Sequence, residues 1–185
     1  MGHGHCALSR MVNNRHQRTL SARPAVVGQL IDGLAGHEDR LWPTEQWPAM
    51  CLDRPLGVGA RGGHGPVRYC VEAYTPGEAI RFRFQAPTGF DGYHEYVVIP
   101  LPDGGALLRH SVVMRTAGPA RLSWPLLYRP LHDALIEDSL DKASRSLDLT
   151  VPARRQWSGR VRLLRTVARR ARQRSAGRSD RPIDG

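Results

Sequence analysis

The chain has 185 residues, 41% of them apolar, which suffices for one domain with a sizeable core and gives no ground for two. Its formal charge of +10 is unevenly held: from Pro152 to Gly185 eleven arginines face only Asp180 and Asp184, a net +9, while 16 basic and 15 acidic residues leave the rest at +1. An argument from charge to polyanions therefore concerns the tail alone, and no apolar run approaches the ~18 residues of a membrane span.

The opening residues Met1-Gly2-His3-Gly4-His5-Cys6 lack the apolar stretch of a secretory signal, so the expected location is the cytoplasm. Cys6, Cys51 and Cys70 are odd in number and lack metal-type spacing, which predicts reduced thiols. Lys142 is the only lysine, so arginine is preferred throughout and its abundance in the tail is weak evidence for phosphate recognition.

In chain order, residues 1–11 are expected to be a flexible N-terminus, and Met11 to Leu20 reads as a polar first strand. Pro24 opens a helix whose stripe is Val26, Val27, Leu30, Ile31 and Leu34. His37 to Trp42 suggests a second short helix stopped by Pro43. A short strand near Cys51-Leu52 follows, then a loop or bend over Gly57 to Pro66, which holds five glycines. From Val67 to Thr116 apolar and charged residues alternate through four runs separated by Pro76-Gly77, Pro87 to Gly92 and Pro102 to Gly105, the pattern of an antiparallel meander with one wet face. In its first run Val67, Tyr69, Val71 and Ala73 are expected to face inward. Pro119 to Leu149 carries two helical stripes, one through His132, Ile136, Leu140, Ala143 and Leu147, the other through Trp124, Leu127, Tyr128, Leu131 and Leu135, with either a bent helix or a fresh start expected near Pro130. Asp138–Lys142 and Asp141–Arg145 read as ion pairs on its wet side.

This order resembles the START-like superfamily, the polyketide cyclase/dehydrase and lipid-transport or SRPBCC proteins. The resemblance rests on Leu20-Ser21-Ala22-Arg23-Pro24-Ala25-Val26-Val27, on Gly63-His64-Gly65-Pro66-Val67-Arg68-Tyr69 and Pro76-Gly77-Glu78-Ala79-Ile80-Arg81-Phe82, and on the closing helix. It implies an α+β helix-grip fold, in which a seven-stranded antiparallel sheet wraps a long C-terminal helix and leaves a cavity between them. The ligand-binding domain would span residues 12–149. The Arg-rich tail, 150–185, has no counterpart and is expected to be partly helical or disordered.

Facing in the sheet follows from charge. If Arg81 and Arg83 point to solvent, Ile80, Phe82 and Phe84 point inward. Glu95 then lies outside beside the arginines, and His94, Tyr96 and Val98 turn inward; in the last strand Leu108, His110, Val112 and Met114 do the same. The candidate ligand-binding residues are Tyr69, Phe82, Phe84, His94, Tyr96, His110, Met114 and His132, with His64 beside them: aromatic walls with a few polar groups to orient a small hydrophobic, lipid- or polyketide-like molecule. His94 and His110 are equally compatible with hydrogen-bonded core positions, and a Tyr96/His110 pair with acid/base work of cyclase or dehydratase type. No cofactor is expected, and no metal, because neither His-Glu-x-x-His nor paired Cys-x-x-Cys spacing occurs. The glycines of 57–65 lack the lysine and helix of a phosphate loop, and His3, His5 and Cys6 read as a flexible terminus. Trp157, Val161, Leu164, Val167, Ala168 and Ala171 form a short basic amphipathic helix suited to an anionic membrane surface or polyanion, without specific nucleic-acid recognition and dispensable to the fold.

Overall fold

β1 (Arg10–Leu20) shows why a polar strand can be a structural one. Its inward row begins with Val12 and ends with Leu20, both buried, but between them stand Asn14, His16 and Arg18. These three meet a row of acids on the long helix α3 (Arg129–Ser146). Asn14 donates to Asp133 (2.9 Å), His16 lies against Asp133 and Glu137, and Arg18 donates to Glu137 (3.2 Å) and Asp141 (2.7 Å). Two residues of strand advance about 6.6 Å and four residues of helix about 6 Å, so side chains two apart on β1 find carboxylates four apart on α3.

The computed structural model describes residues 9–151 and 156–179, with side chains described as far as residue 170. Expectations for residues 1–8, including His3, His5 and Cys6, and for 180–185 lie outside the described residues. All seven strands join one antiparallel sheet in the order β1-β7-β6-β5-β4-β3-β2, with β2 Cys51–Leu52, β3 Arg61–His64, β4 Val67–Thr75, β5 Ala79–Ala86, β6 Phe90–Pro100 and β7 Ala106–Thr116. α3 lies across the inward face of this sheet, which is the α+β helix-grip arrangement. Arg81 pairs with Glu95 on the outer face while Phe82 sits opposite His94 on the inner one.

Departures from simple alternation have local causes. β4 carries a bulge between Val71 and Ala73, so Ala73 is exposed, contrary to expectation, and Tyr74 turns inward, its hydroxyl donating to Asp32 (2.8 Å). The glycine-rich stretch is not all loop, because β3 occupies Arg61–His64. There a Cβ on Gly62 would lie 1.9 Å from the Cys51 carbonyl oxygen, an approach only glycine permits. α1 (Pro24–Asp32) likewise brings Gly28 against the β4–β5 turn, where a Cβ would stand 2.2 Å from the Gly77 oxygen.

The helix expected over His37 to Trp42 is absent: the Asp39 carboxylate accepts the N–H groups of Ala35, Leu41 and Trp42 at 2.7–2.9 Å, which satisfies them without a helical turn. The Asp138–Lys142 and Asp141–Arg145 pairs are also corrected. Asp138 and Asp141 are buried, Asp141 takes Arg18, and Lys142 donates to the Trp42 carbonyl and Glu45 (both 2.8 Å). Together with Ser139 to Leu41 O and Ser146 to Arg40 O, Lys142 ties the 40–45 segment to α3, which accounts for a helix so short of apolar residues.

The long helix starts afresh beside Pro130, at Arg129, as one of the two expectations had it. α2 (Ala120–Ser123) runs into a π-helical turn, Trp124–Tyr128, and then α3. Pro130 has no N–H to offer Leu126 O, the α-helical partner, or Pro125 O, the π-helical one. Both carbonyls instead accept from the Arg160 guanidinium at the start of α4 (Gly159–Ser179), at 2.8 and 3.4 Å.

Candidate functional site: a histidine-floored cavity

Two hydrophobic clusters form the interior. The larger joins α1, the sheet and α3; the smaller holds Val12, Phe90, Val112, Met114, Ala120 and Trp124, and Phe84 and Tyr128 pack against both. Between them lies a partly open cavity of about 580 Å³. Its walls are Phe84, Phe90, Trp124, Tyr128, Leu131 and Leu135; Trp42, Trp47 and His64 stand at one side, and His94, His110 and His132 also line it.

Two of these histidines come from neighbouring strands and the third from the helix, as inward facing requires. The His94 and His110 rings are 5.5 Å apart with Nδ1 of His94 3.4 Å from Nε2 of His110, and the His110 and His132 rings are 5.1 Å apart. His94 Nε2, His110 Nδ1 and His132 Nε2 are buried and have no protein partner. Burial, reinforced by their mutual repulsion, holds His94 and His110 far below the ordinary imidazole range; burial also lowers His132, against the pull of Asp133, and takes His64 down to about 3. At neutral pH this surface is therefore uncharged, and each ring presents one donor and one acceptor.

The structure thus brings Phe84, His94, His110 and His132, with His64, onto one cavity, whereas four other candidates stand behind the lining. Phe82 stacks on His94 (4.9 Å, 17° between planes), and Tyr69 meets the same ring edge-on at 4.8 Å while its hydroxyl lies 3.1 Å from Nδ1 of His64. Tyr96 backs His110 at 4.6 Å and shares a 2.8 Å hydrogen bond with Ser139. Met114 fills the smaller cluster. Alternation by two assigns a side chain to a face but does not say how deep it lies on that face. Trp124 and Tyr128 join the lining from the second helical stripe and Phe90 from the first residue of β6, while Trp42 and Trp47 come from a segment that carries no periodic signal.

Sequence reasoning also missed the cover. Trp157 and Val161 pack on the larger cluster, a contact not anticipated for a stripe expected to be dispensable to the fold. The indole N–H groups of Trp47 and Trp157 both donate to Asp138 Oδ2 (2.8 and 3.0 Å), and the Arg165 guanidinium lies over both rings, 4.3 and 3.5 Å from their centroids, donating to Gln46 O. Arg165, Ala168 and Arg169 line the cavity from α4.

Behind the floor, His16 Nε2, His132 Nδ1 and the Asp133 carboxylate lie within 4.8 Å of one another, close enough to hold a metal ion although sequence spacing gives no sign of one. In the arrangement described, the trio is closed by a proton. Burial disfavours a charge on His16, but its hydrogen bonds to Asp133 (3.2 Å) and Glu137 (2.7 Å) outweigh that and raise its pKa to about 9.

No protein-family profile matches the chain, and no curated protein matches its sequence. Solved structures do match. Norcoclaurine synthase from Thalictrum flavum superposes with a TM-score of 0.57 at 14% identity, over 77% of this chain and 97% of that one. A solution structure from Thermobifida fusca gives 0.56 at 14% over 77% and 99%, and one from Nitrosospira multiformis 0.56 at 15% over 74% and 99%. At such identities the likeness is one of fold, and this chain shares with these proteins a seven-stranded sheet closed on a long helix.

Proposed function

We propose that the protein is a START-like binding protein of the cytoplasm that holds a small, mostly apolar molecule between sheet and helix. The observation that carries this reading is a cavity of about 580 Å³ whose aromatic walls enclose three buried imidazole nitrogens without partners. Buried polar atoms are nearly always paired, and an apolar pocket with a few convergent polar groups is the usual form of a small-molecule site. A ligand with one hydroxyl or carbonyl on an otherwise apolar ring system would satisfy what the protein leaves open. Fold likeness to a group that includes an enzyme agrees with a pocket of this kind and does not select its ligand.

A matched pair of fluorescent probes, 2-naphthol and 2-methoxynaphthalene, tests both parts. Both should bind, the naphthol about tenfold more tightly for its one added hydrogen bond. Phe84→Asp should abolish uptake of either while leaving the far-UV spectrum unchanged. If neither probe binds, the cavity is not a ligand site; if both bind equally to wild type, the histidines do not orient the ligand. A catalytic reading, of cyclase or dehydratase type, has one observation in its favour. His132, a cavity-lining residue, has Nδ1 3.5 Å from Asp133 Oδ1 and its Nε2 buried without a partner, the pairing of an imidazole with a carboxylate that a general base uses.

A further inference from the structure

α4 lies beyond the part of the chain that the family resemblance covers, yet it covers part of the cavity, through Arg165, Ala168 and Arg169. Its inner stripe is Val161, Leu164, Arg165 and Ala168; its outer face carries Leu163 and Val167, 64% and 57% exposed and one turn apart, between the exposed Arg162 and Arg170. No acidic residue occurs anywhere in the helix. Large aliphatic side chains held in water between arginines are unfavourable in a free protein and are what a helix lying in a lipid interface presents.

The attachments of α4 are few and mostly polar. Arg160 fills the two carbonyls that Pro130 leaves open, Trp157 and Trp47 share Asp138 Oδ2, and Arg165 is gripped by the two indoles with one of its own nitrogens buried and unpaired. A guanidinium left short of partners gains bidentate ones from a phosphate group.

We propose that α4 is a lid that opens onto an anionic lipid bilayer: Leu163 and Val167 enter the acyl boundary, the outward arginines meet lipid phosphates, and Arg165 leaves Trp47 and Trp157 to uncover the cavity. The aliphatic pair selects a bilayer over a nucleic acid, which would use the arginines and have no place for Leu163. This rests on the ligand-binding reading, since it is the ligand's exchange that the lid controls.

The test uses the full-length protein loaded with N-phenyl-1-naphthylamine and mixed with vesicles of phosphatidylcholine alone or in equal mixture with phosphatidylglycerol. Release of the probe should rise at least about tenfold with the anionic vesicles and scale with their concentration. A double variant, Leu163→Gln with Val167→Gln, keeps every charge and touches no cavity-lining residue; it should keep the spontaneous rate and lose the acceleration. Trp157→Phe, which keeps a ring under Arg165 but not the bond to Asp138, should speed spontaneous release. Equal release with both vesicles, acceleration that survives the double variant, or equal acceleration by heparin would overturn the proposal. A protein that never takes up the probe would reject the ligand-binding reading instead, and vesicle co-sedimentation of the same two proteins would still decide whether α4 docks through Leu163 and Val167.

Discussion

His16 should make the fold lose stability as the solution turns alkaline. Its pKa is raised in the folded protein from an ordinary 6.5 to about 9, so its contribution is complete below pH 6.5 and fades as the pH rises through 9. At ~1.4 kcal/mol per pH unit the ceiling is roughly 3 kcal/mol. The two carboxylates it meets are each about one-third exposed (36% and 35%), and solvent screening brings the expected value to about 2 kcal/mol. For a chain of this size that is roughly 4–8 °C in Tm. Urea denaturation of wild type and His16→Gln at pH 6.5 and pH 9 isolates the effect by difference, since Asp133, Glu137, Arg18 and Arg129 are present in both proteins. Wild type should lose about 2 kcal/mol more than the variant between the two conditions, and parallel losses would refute the argument. Below about pH 7 the sign reverses. His64, His94, His110 and His132 are neutral when folded and take up protons on unfolding, so stability falls with falling pH and both proteins should share that acid limb. Maximum stability is therefore expected near pH 7, where five ordinary histidines in the unfolded chain together bind about as many protons as His16 alone binds in the folded one.

Ending the chain near Val151 removes Val161 from the core, uncovers Trp47 and deprives Asp138 of one of its two indole donors. The thermal midpoint should drop by several degrees, about 2–3 kcal/mol, and an unchanged midpoint in calorimetry would mean that α4 does not pack on the domain. Gly28→Ala places a methyl group 2.2 Å from the Gly77 oxygen and must push α1 off the β4–β5 turn; chemical denaturation should show a loss of about 1–3 kcal/mol, against the gain that alanine brings to an unobstructed helix.

The meander could be read from its residues because one face is wet and the other dry: Arg81 and Glu95 on the outside fix Phe82, His94 and His110 on the inside. Where pairing between distant elements replaces that contrast, periodicity is silent. Asn14, His16 and Arg18 look like a solvent face and are an inner one, because their partners are carboxylates 117 to 123 positions away. Asp138 looks like half of a helical ion pair until two indoles from outside α3 claim it. The same limit hid the cover over the cavity: Arg165 is one arginine among eleven in the tail, and only the approach of Trp47 to Trp157 sets it apart. Of the candidate site, the inward rows and the stripe with Trp124 and Tyr128 were legible, while the part that Trp42 and Trp47 take in the wall was not.

The polar ladder between β1 and α3 also behaves as a vernier. Strand and helix steps differ by about 0.6 Å per rung, so three rungs accumulate little more than 1 Å, which flexible side chains absorb. Each further rung would widen the error. The inward row of β1 accordingly turns apolar at both ends, at Val12 and Leu20, and the helix positions one step beyond the acids are arginines, Arg129 and Arg145. A slip of α3 by one turn would set Arg18 beside Arg145 or Asn14 beside Arg129, so the ladder admits a single setting of helix against sheet. The gap that forms the cavity is measured from that setting.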